Sequence, residues 1–199
     1  MRHSQNNEEE VILSCFPGRV GRFLDIGAND GETFSNTRAL ALGGWTGVLV
    51  EPSPLAFAKL SGLYPSGQTL LNVAVGLADG EIEFFENTDT LVSTAVEAEK
   101  ARWGSAFHPI RVKMVTTASL LATAPGPYDF ISIDCEGLDV DVLRGFPPSL
   151  RESAVICIEH NSVASRKEEI LRLLPEHQVL LDNPENLVLA PKKNNLKPS

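Results

Sequence analysis

The sequence is poor in cysteine and in positive charge, and it contains no long apolar run. Its three cysteines, Cys15, Cys135 and Cys157, are odd in number and far apart, so they fit neither a disulfide framework nor a zinc site. No apolar run approaches the roughly 20 residues of a membrane-spanning helix. Residues 1–10 are polar and acidic and lack the apolar core of a signal peptide. These absences lead us to expect a reduced, cytoplasmic setting without a membrane span.

Basic residues are outnumbered by acidic ones. The chain has 17 Lys and Arg against 26 Asp and Glu, which gives a formal net charge of −9. A surface that binds nucleic acid needs clustered Lys and Arg against the phosphates, so we expect no nucleic-acid partner. The 199 residues and the 43% hydrophobic content suit one compact domain. We predict a lead or short helix over residues 1–19, a single domain over 20–191 and a flexible tail over 192–199.

Apolar, strand-like runs alternate with helix-compatible segments along most of the chain. The predicted strands cover residues 22–26, 47–51, 69–75, 81–86, 110–116, 128–134, 154–159, 177–181 and 187–190. The predicted helices cover residues 33–42, 53–64, 118–124, 138–143 and 165–174. The opening order strand, helix, strand, helix, strand requires a parallel sheet with right-handed crossovers. We therefore predict an α/β fold, a Rossmann-like doubly wound, mostly parallel seven-stranded sheet closed by an antiparallel C-terminal hairpin.

The sequence pattern does not decide whether one segment is a helix or a loop. Residues 87–109 contain a helix-compatible stretch over 96–103, but the threonines and serines before it favour a loop. Because a long loop inside a compact domain is usually functional or mobile, we expect this segment to be one or the other.

The rest of the chain is organised around FLDIGANDG, residues 23–31, an apolar run that carries an acid and then breaks into small residues. Gly27 and Gly31 can take backbone angles that a Cβ forbids, and Asp25 lies where open α/β sheets bind ligands. The dinucleotide fingerprint is missing, since Asn29 stands at its second glycine. Acids in the loop would repel a pyrophosphate and attract a cation. The loop therefore favours S-adenosylmethionine, which has an ammonium, a sulfonium and no phosphate; a turn that only connects strand to helix is the alternative.

A second acid follows the next predicted strand. Glu51 lies about 20 residues after Gly31, which is the spacing of the acid that accepts hydrogen bonds from ribose hydroxyls. The alternative for Glu51 is an acid that only precedes the helix begun by Pro52 and Pro54. Together with the glycine loop, the spacing favours the ribose-binding role.

Acids also end the later strands of the predicted parallel sheet. The carboxyl ends of parallel strands meet at one edge, so we expect Asp25, Glu51, Asp134, Glu136 and Glu159 to converge on one crevice. Neighbouring carboxylates repel one another and cost electrostatic free energy unless a cation or a ligand rich in hydrogen-bond donors faces them. Their convergence therefore predicts a ligand site.

Two residues at these strand ends are candidate bases. Asp134 could orient an acceptor or take its proton, or it could only cap the following helix. His160 could be a general base because its ordinary pKa lies near neutrality, or it could be fixed by hydrogen bonds in the core. Asp134, Glu136, Glu159 and Asn161 could also gather a hard divalent cation. No spacing rule supports such a site, and we predict no metal.

Five segments carry a family resemblance. They are FLDIGANDGETFS, VLVEPSP, LLNVAVG, DFISIDCEGLDVDVLRG and VICIEHN. In this order they resemble the FkbM-type methyltransferases, which belong to the class I S-adenosylmethionine-dependent methyltransferases. The resemblance covers about residues 20–190, and the first and fourth motifs together are fairly specific.

The resemblance implies roles for residues at the ends of the first four strands of the core. For the cofactor they are Asp25, Gly27, Asn29 and Gly31 at the methionine part, Glu51 at the ribose, Pro52 and Ser53 beside the adenine, Asn72 and Ala74 near the adenine or ribose, and Asp134. Asp134 and Glu136 match the family's acidic motif, and Ser93-Thr94 matches a serine-rich motif near its active site. The family often has a further acidic stretch where this chain has TASL at residues 117–120, so we expect no acid to act there.

We therefore predict an enzyme, an S-adenosylmethionine-dependent methyltransferase. The family implies O-methylation, with a hydroxyl on a sugar, a glycan or a small natural-product-like molecule as acceptor. The catalytic candidates are Asp134, His160 and Glu136. One alternative is a non-catalytic S-adenosylmethionine-binding module. The other is an NAD-dependent oxidoreductase, which is disfavoured because Asn29 replaces the second glycine of the dinucleotide fingerprint.

Overall fold

The computed structural model describes residues 3–87, 93–97 and 107–192. Its strands are β1 Arg22–Ile26, β2 Thr46–Val50, β3 Thr69–Leu71, β4 Ala74–Gly76, β5 Gly80–Asn87, β6 Phe107–Thr116, β7 Phe130–Ile133, β8 Val155–Glu159, β9 His177–Asp182 and β10 Asn186–Pro191. Its helices are α1 Glu8–Ser14, α2 Arg38–Leu42, α3 Pro54–Leu63, α4 Thr117–Thr123, α5 Asp139–Gly145, α6 Pro148–Ser153 and α7 Ala164–Leu173. Most of the helix-compatible stretch at 96–103 and residues 193–199 of the expected tail lie outside the described residues.

Seven strands form one sheet in the order β3-β2-β1-β7-β8-β10-β9. β1 is parallel to both β2 and β7, and the parallel pairing continues from β2 to β3 and from β7 to β8. β10 is antiparallel to both β8 and β9. The predicted α/β fold with an antiparallel C-terminal hairpin is therefore confirmed. The strand order reverses between β1 and β7, and ligands of open α/β sheets bind at such a switch point.

Helices cover both faces of the sheet. Successive side chains of a strand point to opposite faces, so one strand contributes to the core on each side. Leu24 and Ile26 of β1 belong to one buried cluster, which also contains side chains of α4, α5 and α7. Phe23 belongs to the other cluster, with side chains of α1, α2 and α3. β1 is thus fixed from both sides, and so is the loop that follows it. Within the described ranges, no helix combines the length and apolar character needed to cross a membrane.

The predicted strand over 69–75 is wrong in one respect, because it is two strands in two sheets. β3 extends the large sheet beside β2, whereas β4 pairs with β6 in a second, three-stranded sheet of order β4-β6-β5. β2 ends at Val50, so the chain beyond Leu71 has no strand beside it in the large sheet. At the break the side-chain amide of Asn72 donates to the carbonyl oxygens of Glu51 and Pro52 at 2.8 and 3.1 Å.

The second helix is shorter than predicted. It begins at Arg38 rather than at residue 33, because the chain before it forms a tight loop. Asp30 Oδ1 accepts the backbone N–H groups of Glu32 and Thr33 at 3.0 and 2.7 Å. Phe34 then adopts a φ of +57°, which a right-handed helix excludes. Residues 33–37 are thereby left as a loop beside the carboxyl end of β1.

The start of α3 agrees with the sequence pattern. Ser53 is the N-cap and accepts the backbone N–H of Ala56 at 3.1 Å, and Pro54 follows as the first helical residue. Helix α6 was not predicted, since six residues beginning at a proline give no helical periodicity to detect.

The N-terminal segment is attached to the rest of the fold from the first turn of α1. Glu8 is fully buried, and its Oε1 accepts the side-chain amides of Asn183 and Asn186 at 2.8 and 3.0 Å. Burial alone would raise the pKa of Glu8, but these hydrogen bonds outweigh it and hold the pKa below its ordinary value. Ile12 and Phe16 enter the core behind it. The acidic composition of residues 1–10 concealed this, because a buried acid and a solvated one look alike in sequence.

Candidate active site

A cavity of about 370 Å³ opens at the carboxyl ends of β1, β2, β7 and β8, at the switch point of the sheet. This volume lies within the range of ligand pockets, about 300–1,000 Å³. Residues from the glycine loop, from the 33–37 loop and from the acidic strand ends contribute to its wall. Gln5 and Glu185 join them, because the buried Glu8 ties α1 to the loop between β9 and β10. No sequence pattern indicated that Gln5 and Glu185 contribute to the wall.

The glycine loop turns sharply after β1. The backbone N–H groups of Gly27 and Ala28 both donate to the carbonyl oxygen of Val50, at 2.9 and 3.1 Å. Asn29 follows with a φ of +48° and lines the cavity. Both polar atoms of its side-chain amide are buried and lack a hydrogen-bond partner among the described residues. A buried amide with unmet donors and acceptors indicates a polar ligand in the cavity.

Glu51 lies at the end of β2 and is 6% exposed. Its Oε2 accepts the backbone N–H of Asn29 at 2.8 Å, and its Oε1 accepts that of Ser53 at 2.7 Å. Burial raises the pKa of Glu51 to about 7, although these two hydrogen bonds oppose the shift. Each carboxylate oxygen can accept more than one hydrogen bond, so Glu51 can still receive hydroxyl donors from a ligand.

Asp25 lies in β1 beneath the loop and is 4% exposed. Its Oδ2 accepts the hydroxyl of Thr37 at 2.5 Å, and burial raises its pKa to about 6. Next to it, Asn36 donates to the hydroxyl of Ser132 at 3.2 Å. Phe34, Ser35 and Asn36 line the cavity, and sequence reasoning missed them because it placed residues 33–42 in a helix. The polar run ETFSNT directly after the glycine loop was the signal that could have indicated them.

The acids after β7 and β8 form the opposite wall. Asp134, Glu136 and Glu159 all line the cavity. Burial first, and then the charges of Glu136 and Asp139, raise the pKa of Asp134 well above its ordinary value. Burial and the charge of Asp134 do the same to Glu159. The loop that carries these groups is fixed by Asp139, whose two oxygens accept the backbone N–H groups of Cys135 and Gly137 at 2.7 and 3.1 Å.

His160 does not line the cavity, which argues against the predicted general base. The residue is 3% exposed, and its Nδ1 accepts the backbone N–H of Ser162 at 3.1 Å. Nε2 lies 3.8 Å from Asp182 Oδ1, on the side of the C-terminal hairpin. Burial lowers the pKa of His160, although Asp182 opposes this. The structure favours the other interpretation, a histidine fixed by hydrogen bonds.

The residues expected at the cofactor divide into two groups. Those that line the cavity are Asp25, Gly27, Asn29, Glu51, Pro52, Ala74 and Asp134. Gly31, Ser53 and Asn72 are not part of the lining and lie behind it. Gly31 packs against Leu60 and Tyr64, so that a Cβ there would meet them at 2.5 and 2.9 Å. Ser53 caps α3 and Asn72 ties the end of β3 to residues 51–52, so both can shape the site only indirectly.

The serine-rich stretch near the site is also brought to the cavity. Ser93 lines the wall and its Oγ accepts the backbone N–H of Asn87 at 2.9 Å. Thr94 is fully buried and its hydroxyl donates to the carbonyl oxygen of Glu136 at 2.8 Å. This bond ties the three-stranded sheet to the acidic loop after β7.

The charge of the cavity fits S-adenosylmethionine. Six acids are among the residues that line it: Asp25, Glu51, Asp134, Glu136, Glu159 and Glu185. No lysine or arginine occurs in the described part of the lining. Such a wall favours a ligand with an ammonium and a sulfonium and disfavours a pyrophosphate. The amide of Asn29, which has no partner among the described residues, and the carboxylate of Glu51 both present polar atoms to this cavity.

Comparison with known proteins gives a family and a fold. The sequence model described as Methyltransferase FkbM domain matches residues 25–181. No protein of curated function matches the sequence. Among solved structures, the ribosomal protein L11 methylase from Lactobacillus delbrueckii subsp. bulgaricus is 12% identical with a TM-score of 0.51, over 96% of this chain and 80% of that one.

Two further structures are similar. A protein described as an rRNA-methylase from Clostridium thermocellum is 10% identical with a TM-score of 0.51, over 95% of both chains. Monomeric WbdD is 10% identical with a TM-score of 0.55, over 94% of this chain and 41% of its own length. These likenesses show a shared fold, and the family match covers most of the chain. The chain therefore belongs to the FkbM family of methyltransferases, and its cofactor is S-adenosylmethionine.

Proposed function

We propose that this protein transfers the methyl group of S-adenosylmethionine to a hydroxyl oxygen of an uncharged acceptor, such as a sugar, a glycan or a small natural-product-like molecule. The observation that carries the proposal is the division of the cavity at the switch point. The glycine loop and Glu51 lie on the β1–β2 side, and the acids Asp134, Glu136 and Glu159 lie on the β7–β8 side. One side can hold the cofactor while the other receives the acceptor.

On the cofactor side, Glu51 binds the ribose hydroxyls, and the loop with Gly27 and Asn29 binds the methionine part. Pro52 and Ala74, which both line the cavity, flank the adenine. These roles rest on the geometry of the cavity together with the family resemblance. Asp25 contributes negative charge beneath the loop and orders residues 33–37 through its hydrogen bond to Thr37.

On the acceptor side, the chain aligns a hydroxyl and removes its proton. The cofactor supplies an already activated methyl group, so alignment is the larger part of the work. A carboxylate with a raised pKa is suited to take a proton near neutral pH, and Asp134, whose pKa burial raises, lines the cavity in this region. Glu136 lines the same part of the cavity and is the second candidate. A base in this position contributes on the order of 10² to 10⁴ in rate.

The acid wall also selects among acceptors. Carboxylates accept hydrogen bonds from hydroxyls and repel phosphates and carboxylates, which favours a neutral polyol over a nucleic acid. The net charge of −9 also disfavours binding of a nucleic acid. Two of the structural neighbours are named as methylases of a ribosomal protein and of rRNA, so RNA is included as an acceptor in the test.

The first test is calorimetric titration of the folded protein with S-adenosylhomocysteine, with NAD as the control. Micromolar binding of S-adenosylhomocysteine alone is expected; NAD binding in its place would overturn the proposal. Transfer of a labelled methyl group is then measured to a panel of sugars and polyols, with an rRNA fragment in parallel. Labelling of a polyol oxygen supports the proposal. Labelling of the RNA alone, or binding without transfer to any acceptor, contradicts it.

A further inference from the structure

Three carboxylates from different parts of the chain meet beside the acceptor side of the cavity. Asp134 follows β7, Asp139 is the first residue of α5, and Glu159 ends β8. One oxygen from each lies within 4.8 Å of the oxygens of the other two. Oxygens that share one Mg²⁺ or Ca²⁺ ion, each about 2.0–2.6 Å from the metal, lie roughly 3–5 Å apart. The separation therefore suits a common ion.

A second observation points to a ligand at this place. Glu159 is 6% exposed and lines the cavity, yet its Oε2 has no hydrogen-bond partner within the described ranges. A buried carboxylate oxygen without a partner is costly and calls for a ligand or a proton. Burial, and then the charges of Asp134 and Asp139, raise the pKa of Glu159 well above its ordinary value.

The charges of this cluster are unfavourable in the buried site. Burial raises the pKa of Asp139, although the backbone N–H groups of Cys135 and Gly137 and the charge of Arg166 oppose the shift. Burial also raises the pKa of Asp134 well above its ordinary value, and the charges of Glu136, Asp139, Asp25 and Glu51 add to this shift. A divalent cation would offset the negative charge of the cluster.

We propose that Asp134, Asp139 and Glu159 bind one hard divalent cation, Mg²⁺ or Mn²⁺, at the acceptor side of the cavity. The donor set is all carboxylate oxygen, which hard cations prefer over sulfur and nitrogen ligands. Asp134 and Glu159 line the cavity and Asp139 lies behind them, so the remaining coordination positions face the cavity. The site goes beyond the proposed methyl transfer. It replaces the sequence-based expectation of no metal, because that expectation did not include Asp139.

The site has a consequence for the acceptor, which does rest on the proposed function. A hydroxyl that coordinates a divalent cation loses its proton more easily. With Asp134 engaged as a ligand, Glu136 would accept that proton, because it lines the cavity on the same β7–β8 side and is not one of the three ligands. Acceptors with two neighbouring hydroxyls would then be preferred, since both can bind the same ion.

The test uses Mn²⁺ alone and measures the loss of the free-ion electron paramagnetic resonance signal on adding the full-length protein. One Mn²⁺ per chain, displaced by excess Mg²⁺, is expected. Glu159→Gln should weaken Mn²⁺ binding at least tenfold, because it removes a charge while keeping the shape. Glu83→Gln on the exposed face of β5 also removes one negative charge and should leave Mn²⁺ binding within twofold.

Two outcomes would overturn the site. One is no Mn²⁺ binding at millimolar concentration by protein that is folded by circular dichroism. The other is equal binding by the wild type and Glu159→Gln. Either result would mean that the three carboxylates share protons instead of a metal. S-adenosylhomocysteine binding is measured on the same samples, so failure of the metal site and failure of the methyltransferase proposal give different results.

Discussion

Gly27 packs so closely against Asp134 that a Cβ on residue 27 would lie 1.7 Å from the carbonyl oxygen of Asp134. The φ of Gly27 is +86°, a backbone conformation that side chains disfavour. This contact joins the loops that follow β1 and β7, on either side of the switch point. The β1–β2 side and the β7–β8 side of the cavity are therefore in direct contact at a glycine.

Gly27→Ala should be strongly destabilising, because the new Cβ meets a backbone atom that cannot move aside. Gly67→Ala is a matched control, since Gly67 has nearly the same φ, +87°, and nothing within 4 Å of the added Cβ. We expect Gly67→Ala to lower the free energy of unfolding by about 1–2 kcal/mol. Gly27→Ala should cost roughly 1–3 kcal/mol more and abolish S-adenosylhomocysteine binding. Urea unfolding and calorimetry check both; equal losses in the two variants would contradict the close contact.

The stability of the ligand-free protein should depend on the ionisation of Glu51. Burial raises the pKa of Glu51 from its ordinary value of 4.5 to about 7, so the folded state holds its proton more tightly than the unfolded state. The resulting stabilisation is fully present below pH 4.5 and is lost as the pH rises through about 7. Glu51→Gln has no titrating group at this position and should lack this pH dependence. Between pH 5 and pH 8 the free energy of unfolding of the wild type should fall by on the order of 3 kcal/mol relative to that of the variant.

Urea unfolding of both proteins at the two pH values measures this difference. Other titrating groups, such as His160 and His177, are common to both proteins and cancel in the comparison. A difference between wild type and variant that stays constant from pH 5 to pH 8 would mean that Glu51 titrates normally.

Asp134→Asn should reduce methyl transfer far more than cofactor affinity. The substitution keeps the shape but removes the negative charge beside the proposed acceptor, so we expect turnover to fall by about 10²- to 10⁴-fold. S-adenosylhomocysteine binding should change only a few-fold, since Glu51 and the glycine loop remain. Single-turnover rates and calorimetric affinities distinguish the two effects. Equal loss of turnover and affinity would place Asp134 in cofactor binding alone.

His160→Gln should affect stability and leave the chemistry intact. Its ring is buried, bonded to Ser162 and separate from the cavity lining, so the substitution should cost about 1–3 kcal/mol in unfolding free energy. His177→Gln is the matched control, because His177 is a buried histidine that bonds to the carbonyl oxygen of Ala154. Turnover at saturating cofactor should be unchanged in both variants. A large loss of turnover in His160→Gln alone would restore the general-base interpretation.

The strand positions and the glycine loop could be predicted because their signals are local. Apolar runs of four to six residues separated by glycine, proline and acids locate β1, β2, β7 and β8 to within a residue or two. The helix at 33–42 was too long, because the side chain of Asp30 reorganises residues that are compatible with a helix in isolation. The break at Asn72 was missed because it depends on where the neighbouring strand β2 ends.

By itself, the sequence determined the α/β alternation, the acid-bearing glycine loop and the acids at the strand ends, since all three depend on spacing along the chain. Only the tertiary structure decided which of those acids meet. Glu159 faces the cavity while its neighbour His160 does not, although nothing in the sequence separates them. Asp139 reaches Asp134 and Glu159 because α5 begins directly at the edge where β7 and β8 end side by side. Contacts of this kind arise from strand order and direction, which no local pattern specifies.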